Sequence, residues 1–241
     1  MIEKFLDTIE KKHVLVAGEL SSRTPPEKVY NANLDLLVLY HTTELGIPRI
    51  GGMLPIENSN DLVLTMCEKL PIHNYSVPVF AGICGIEPVR YFPLFFRNLA
   101  ATGVSGVQNF PTVGLIDGQY RYNLESVNLG VKCEEEALKI AITNGLGILP
   151  FAFNQYETLA MAKAGAKIVI LDLGFCPLTY DIREEIRQYL ERLRSIGTLV
   201  HSLYPDVKIL VYTMYHEIEQ QLEALLPQLA YIDGIYRSVL L

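Results

Sequence analysis

Amide and hydroxyl side chains follow a short apolar segment near the middle of the chain, and such groups bind and orient substrates. Residues 103–107 are small or apolar and uncharged, which predicts a buried strand, and Gln108 and Asn109 follow directly. Pro111 fixes φ and lacks an N–H, so the strand should end there. We therefore expect Gln108, Asn109 and Thr112 to bind substrate at the carboxyl end of this strand, where α/β proteins place their sites. The alternative is a plain loop in which Asn and Pro only shape a turn.

Two carboxylates are the candidates for proton transfer. Glu19 follows the first predicted strand, and Asp172 ends the sixth. A carboxylate among apolar and aromatic neighbours can have a raised pKa and act as a general acid or base. The same pattern allows a buried ion pair of either acid with Arg237, which follows the eighth strand. In the catalytic interpretation, Arg237 instead holds an anionic group of the substrate.

Further candidate contacts come from the ends of other predicted strands and from the loop after the fourth strand. The substrate-binding candidates are Tyr40, His41, Cys84 and Tyr212, and the loop-ordering pair is Asp117 with Arg121. His41 also fits a structural hydrogen bond, and Cys84 fits a small core residue. We find no cluster with metal-ligand spacing, so the sequence by itself predicts no metal site.

These residues depend on strands and helices that alternate along the whole chain. The predicted strands are 14–17, 36–40, 77–81, 103–107, 147–151, 167–171, 208–212 and 232–236. The predicted helices are 3–12, a short one opened by Thr24, 60–70, 90–101, 134–144, 155–164, 180–203 and 217–226, with a long loop over 114–132. Eight strands with helices between them predict an α/β (β/α)₈ TIM barrel as a single domain over 1–241, preceded by an N-terminal helix. A doubly wound open sheet is the alternative.

Composition excludes several classes of protein. The chain has 241 residues, of which 50% are hydrophobic, and a formal net charge of −7, which argues against a nucleic-acid partner. Its four cysteines show no CxxC spacing, so we expect reduced thiols and no disulfide framework. The N-terminus lacks a signal-peptide pattern, and no apolar run approaches the roughly 20 residues of a membrane span. We therefore expect a cytoplasmic protein with no membrane partner.

The end of the sequence predicts self-association. After the eighth predicted strand few residues remain, so a full eighth helix is not expected. The groove beside the eighth and first strands would then expose apolar surface, and large exposed patches of that kind usually bind something. We expect a homo-oligomer, although the N-terminal helix could cover part of the groove instead.

The segment 106–118, with the sequence GVQNFPTVGLIDG, resembles the hallmark of the phosphoenolpyruvate hydrolase-like TIM-barrel family. Arg121 and residues 123–125 continue the match, and weaker matches occur at 36–40, 52–55, 79–85 and 161–165. The resemblance implies a small oxo-acid or enol-type anionic substrate, and lyase or hydrolase chemistry through an enolate-like intermediate. The mutase-like relatives of the family use Mg²⁺, so the resemblance makes Mg²⁺ possible as a cofactor.

The sequence departs from the family pattern after strands six, seven and eight. Residues 172–174 are Asp-Leu-Gly where the family has His-Met-Gly, and 175–178 replace Thr-Thr-Gly-Gly. Residues 213–215 replace His-Gly-Gly, and Arg237 with its two successors replaces Gly-Ala-Ser. Glycines at these strand ends let backbone N–H groups approach a phosphate. The departures therefore support a second hypothesis, a ligand-binding or regulatory barrel that has lost the family's phosphate site and catalysis.

Overall fold

The computed structural model describes residues 2–47, 57–174 and 182–241, in which strands and helices alternate. The strands are β1 Val14–Leu20, β2 Leu36–Leu39, β3 Val79–Gly82, β4 Gly106–Gln108, β5 Gly147–Ile148, β6 Phe151–Ala152, β7 Ile168–Leu171, β8 Lys208–Val211 and β9 Gly234–Leu240. The helices are α1 Ile2–Lys12, α2 Pro26–Asn31, α3 His41–Leu45, α4 Ser59–Lys69, α5 Phe92–Ala101, α6 Gly118–Ser126, α7 Val131–Thr143, α8 Gln155–Ala164, α9 Ile182–Leu203 and α10 His216–Leu225. The pairings β1–β2, β2–β3, β3–β4, β4–β5, β6–β7, β7–β8 and β8–β9 are all parallel.

The chain forms two compact units. Unit 1 contains Val16–Pro150 and Ser238–Leu241, and unit 2 contains Ile2–Leu15 and Phe151–Arg237. In unit 1 the strand order is β5-β4-β3-β2-β1. In unit 2 the order is β9-β8-β7-β6. The single domain and the incomplete eighth helix that we expect from the sequence both stay predictions.

Strand register fixes which side chains of unit 1 share a face. Glu19 pairs with Val38, Val38 pairs with Phe80, and Phe80 pairs with Gly106. Residues two apart on a strand point to the same side, so Gln108 shares the face of Gly106. We call this the inner face of unit 1, and it carries Glu19 and Gln108 near the carboxyl ends of their strands.

Three differences from the predicted elements have local causes. The predicted fifth strand is split into β5 and β6 by Leu149 and Pro150, since proline has no N–H to donate to the ladder. The predicted loop 114–132 contains α6, in which no residue is buried, so its sequence has no apolar stripe. Helix α4 begins at Ser59, one residue before the predicted start, because the Asn58 side chain caps it by accepting from the Asp61 N–H.

Candidate functional site

Glu19 lies near the end of β1 and is half-buried among hydroxyl groups. Its Oε1 accepts from the Ser238 hydroxyl at 2.5 Å, and its Oε2 accepts from the Thr43 hydroxyl at 3.5 Å. Ser238 belongs to β9, and Thr43 belongs to α3. Hydroxyls can rotate and exchange partners, so either of these two donors can turn away from Glu19 without any change in the backbone.

Tyr40 and Gln108 form a buried pair on the same inner face as this carboxylate. Both side chains are fully buried, and the Tyr40 hydroxyl donates to Gln108 Oε1. The Tyr40 ring packs edge-on against Phe110, with 5.2 Å between ring centroids. Gly82 on β3 makes room for the Tyr40 ring and the Phe110 backbone, since a Cβ there would overlap the Tyr40 ring and lie 2.6 Å from the Phe110 carbonyl oxygen. The orientation of the Gln108 amide is therefore fixed.

His41 begins α3 directly after Tyr40, and its side chain is only 2% exposed. Burial lowers the pKa of His41, so the ring is neutral at pH 7. Its Nδ1 is buried and has no hydrogen-bond partner within the described part of the chain. The structural hydrogen bond that we expect for His41 is therefore not found at this nitrogen.

In the segment QNFPT, residues 108–112, the side chains of Asn109 and Thr112 donate to Glu134, a residue that sequence reasoning missed. Glu134 is 1% exposed, and its Oε2 accepts from Asn109 Nδ2 and from the Thr112 hydroxyl, both at 2.8 Å. Its Oε1 accepts from the Val113 N–H at 2.7 Å. We call these four residues the Glu134 clasp. Glu134 was interpreted only as the first residue of a predicted helix, whereas α7 begins three residues earlier at Val131 and Glu134 lies within its first turn.

The Glu134 clasp shows which partners bind the polar side chains of residues 109 and 112 in the QNFPT segment, 108–112. Asn109 and Thr112 are each 1% exposed, and their donors are directed to Glu134. Within unit 1, Pro111 lines a cavity of about 330 Å³ that also contacts Cys84 and Tyr120. Asn109 is not among the residues that line this cavity. The substrate-binding roles of Asn109 and Thr112 stay predictions, and a ligand would have to compete with Glu134 for both.

Cys84 forms part of the wall of that cavity, after β3. Its backbone is fixed on both sides by Asn60, which accepts from the Cys84 N–H at 2.8 Å and donates to the Cys84 carbonyl at 3.0 Å. Burial raises the pKa of the Cys84 thiol to about 11. The thiol is therefore protonated at pH 7, which makes it a poor nucleophile.

Arg121 orders the loop after β4, but its carboxylate partner is not Asp117. The Arg121 guanidinium donates to Glu125 at 2.8 Å and to the Val113 carbonyl at 2.7 Å. Asp117 is exposed at the start of α6, and its carbonyl accepts from the Arg121 N–H. The predicted Asp117–Arg121 ion pair is thus wrong, because Asp117 precedes α6 with an extended backbone, whereas Glu125 lies within the helix one turn after Arg121.

In unit 2, Asp172 and Tyr212 follow β7 and β8. Asp172 is half-buried, and its Oδ1 accepts from the Gly174 N–H at 2.9 Å. The Tyr212 ring packs edge-on against Phe151 and Tyr236, with centroids at 5.8 and 6.2 Å. Burial, followed by the negative charge of Asp172, raises the pKa of Tyr189, a neighbour on α9 that sequence reasoning missed.

Arg237 forms no ion pair with Asp172 in unit 2, although the sequence allowed such a pair. Its Nε donates to Glu219 at 2.6 Å and its terminal nitrogen to Glu223 at 2.8 Å, both on α10. The reason is strand alternation: Tyr236 is buried against other rings, so the next residue points to the opposite side of β9, toward the helix. The buried ion pair of Arg237 with an acid at a strand end, one of the two alternatives that the sequence left open, is not found among the described residues.

A model of the phosphoenolpyruvate hydrolase-like proteins matches residues 1–238, which is nearly the whole chain. The chain belongs to the phosphoenolpyruvate hydrolase-like family. Among curated relatives, the ToMV resistance protein Tm-1(GCR237) of Solanum lycopersicum is 32% identical over 219 residues. That match covers 88% of this chain but 29% of the tomato protein, so the chain spans less than a third of its relative.

Solved structures establish the fold class of this phosphoenolpyruvate hydrolase-like chain. A phosphonopyruvate hydrolase in complex with oxalate and Mg²⁺ matches with a TM-score of 0.57, 14% identity, and coverage of 98% of this chain and 79% of the other. A 2,3-dimethylmalate lyase of the PEP mutase/isocitrate lyase superfamily matches with a TM-score of 0.56, 12% identity and the same coverage. The predicted TIM-barrel-like α/β fold with an N-terminal helix is confirmed.

Two further properties concern the described residues as a whole. None of the helices in 2–47, 57–174 and 182–241 is both long and apolar enough to cross a membrane. Within the same ranges, no three His, Cys, Asp or Glu side chains converge as a metal-binding group. The cytoplasmic location and the homo-oligomer stay predictions.

Proposed function

We propose that this phosphoenolpyruvate hydrolase-like chain is an enzyme that acts on a small oxo-acid or enol-type anion by lyase or hydrolase chemistry. The observation that carries the proposal is the half-buried Glu19 carboxylate near the carboxyl end of β1, which accepts from two rotatable hydroxyls and shares its face by register with the Tyr40–Gln108 pair. The family match and the two similar enzyme structures support the same class of reaction.

Glu19 would move a proton on or off the carbon or oxygen next to the substrate carbonyl. The Ser238 and Thr43 hydroxyls donate to its ionised form, and either can turn toward a substrate oxygen once Glu19 is protonated. The Tyr40 hydrogen bond to Gln108 Oε1 determines which end of the Gln108 amide donates, and a fixed N–H donor stabilises an enolate or carboxylate oxygen. Asp172 stays a second candidate for proton transfer.

A similar phosphonopyruvate hydrolase structure that contains oxalate and Mg²⁺ supports Mg²⁺ as the partner of an anionic substrate of this chain. By register, the β1–β4 residues of the inner face include the carboxylate of Glu19 and no Lys or Arg. Mg²⁺ binds through one or two carboxylates, waters and substrate oxygens, and Glu19 is the carboxylate on this face that would hold it. When bound, the ion would neutralise Glu19 and polarise the substrate carbonyl. Mg²⁺ stays a prediction, and no residue role above depends on it.

A non-catalytic ligand-binding or regulatory barrel is the second candidate, and the Glu134 clasp favours it. The amide of Asn109 and the hydroxyl of Thr112 belong to the family's hallmark segment, yet both serve Glu134. Arg237, the predicted anion holder, is likewise used in ion pairs on α10. A chain whose motif residues are committed to structure can keep a ligand site while lacking turnover.

A ligand screen tests both candidates. Oxalate, pyruvate, phosphonopyruvate, phosphoenolpyruvate and a dicarboxylate such as 2,3-dimethylmalate would be added with and without Mg²⁺, with melting temperature and calorimetry as the readouts. NMR of the same mixtures would detect cleavage products. Binding with turnover supports the enzyme, and binding without turnover supports the regulatory barrel. If none of these acids binds with or without Mg²⁺, both candidates are contradicted for this substrate class.

A further inference from the structure

Two half-buried thiols of unit 1 lie on neighbouring elements of the fold. Cys84 follows β3, and Cys133 lies in the first turn of α7. Both are free cysteines. Cys84 also lines the cavity of about 330 Å³ described above, so a small molecule in that cavity would meet its side chain.

The backbones that carry the two thiols touch. A Cβ on Gly85 would lie 3.0 Å from Glu134 Cα and 3.2 Å from Glu134 Cγ, so the loop after β3 passes directly against α7. Each cysteine is the residue immediately before one of these two contacting residues. Consecutive Cα atoms are about 3.8 Å apart, so this contact places the Cα atoms of Cys84 and Cys133 within roughly 12 Å of each other. Disulfides join Cα atoms at about 4.4–6.8 Å, so bond formation requires the loop after β3 and the first turn of α7 to close any remaining gap.

The electrostatics of the thiols agree with this closeness. Burial is the largest cause that raises the pKa of Cys84 to about 11, and negative charge at Glu134, Glu87 and Cys133 contributes further. Burial also raises the pKa of Cys133, with Glu134 and Glu136 as smaller causes. Both thiols are therefore protonated at pH 7 and will react slowly, since the thiolate is the attacking form.

We propose that Cys84 and Cys133 form a reversible disulfide when the protein meets a low-molecular-weight disulfide. The Cys133 thiolate, on the more exposed helix turn, attacks the small disulfide and releases one thiolate. The Cys84 thiolate then attacks the Cys133 sulfur of the mixed disulfide and releases the second. The two protein thiols are oxidised and the small disulfide is reduced to two thiols, so electrons and atoms balance.

This bond would connect two features that are separate in the reduced protein. Cys84 is part of the cavity wall, and Cys133 immediately precedes Glu134, the centre of the Glu134 clasp. Oxidation would thus tie the cavity to the QNFPT loop, and a thiol reductant would release it. The inference is independent of the proposed oxo-acid chemistry, because it depends on the two thiols and their backbone contact alone.

The first test maps the bond in a Cys176→Ser background, which removes a cysteine that lies outside the described residues. The protein would be incubated with oxidised glutathione at pH 8.5, alkylated, digested and analysed by mass spectrometry. We expect a peptide pair linked through Cys84 and Cys133, while Cys67, which is 1% exposed, stays alkylated as a thiol. Two reduced thiols, or glutathione on either cysteine without any linked pair, would overturn the proposal.

Single variants test the order of the two steps. In Cys84→Ser, Cys133 should keep one glutathione, because no second thiol can displace it. In Cys133→Ser, Cys84 should react at least several-fold more slowly than Cys133 does. The rate of linkage in the parent should rise about tenfold from pH 7 to pH 8, since the thiolate fraction rises by that factor below the thiol pKa. A linkage rate that does not change with pH would contradict thiolate attack.

Discussion

Glu134 and Glu19, both in unit 1, differ in what holds their carboxylates. Glu134 accepts three hydrogen bonds of 2.7–2.8 Å, one of them from a backbone N–H, and is 1% exposed. Glu19 is half-buried and accepts from two side-chain hydroxyls at 2.5 and 3.5 Å. The donors to Glu134 include a backbone N–H, whereas the Ser238 and Thr43 hydroxyls that donate to Glu19 can rotate and change partners. The segment that resembles the family hallmark thus contacts Glu134, and the carboxylate that we propose for proton transfer lies outside that segment.

The sharpest way to test this comparison is to remove the charge at Glu19. In Glu19→Gln, any turnover found in the ligand screen should fall by about 10²–10⁴-fold, because the amide cannot exchange a proton. The free energy of unfolding should change by less than about 1 kcal/mol, since the hydroxyls can still donate to the amide oxygen. Rate measurements and urea denaturation on the same preparations would check both.

The matched control for Glu19 is Glu10→Gln, which alters an exposed glutamate on α1 and should leave turnover unchanged. If Glu19→Gln kept full turnover, the proton-transfer role would pass to Asp172, and Asp172→Asn would then be the decisive variant.

Glu134→Gln should show the opposite pattern, with a large loss of stability. The new amide NH₂ would face donors from Asn109, Thr112 or Val113, so at least one buried group would lose its acceptor. We expect the free energy of unfolding to fall by about 3 kcal/mol in urea denaturation. Glu136→Gln, on the exposed side of the same helix, is the control and should cost under about 0.5 kcal/mol. A loss below 1 kcal/mol at Glu134 would show that the clasp does not stabilise the fold.

Arg237→Ala tests whether the ion pairs on α10 are structural. The change leaves Glu219, whose side chain is 8% exposed, without its partner at 2.6 Å. We expect a loss of about 1–2 kcal/mol in the free energy of unfolding and no change in affinity for any acid that binds. Glu223→Ala is the control, since its pair is more exposed and should cost less. A ten-fold weaker affinity with unchanged stability would restore Arg237 as an anion holder.

His41 should make stability depend on pH below about 6.5. Because burial lowers the folded-state pKa, the unfolded chain binds a proton more readily, and the stability present above the unfolded pKa is lost as pH falls. Between pH 7.5 and 5.5 the parent should lose up to about 1 kcal/mol more than His41→Gln does. Exposed His216→Gln serves as the control in the same urea titrations. Equal losses in the parent and in His41→Gln would contradict the assignment.

The alternation of strands and helices was predictable because buried parallel strands have continuous apolar sequences, as in β2 and β7. Helix α6 was not, because a helix without a buried face has no periodic signal. The role of Arg237 could have been predicted, since it is adjacent to the buried Tyr236 and must point the other way. Glu134 could not, because its partners come from a loop 21 to 25 residues earlier, and no local pattern reports such a contact.

Gly82 has a consequence for how the ends of three strands move. Because this position has no side chain, the Tyr40 ring and the Phe110 carbonyl approach each other across the end of β3. The residues that follow β2 and β4 therefore contact each other past the end of β3, which lies between these two strands. Close-packed interiors transmit a displacement instead of absorbing it. A force on the loop at Phe110 is therefore passed to Tyr40 and on to the start of α3. In mechanical terms, the missing side chain at Gly82 couples the ends of β2, β3 and β4, so that they move together.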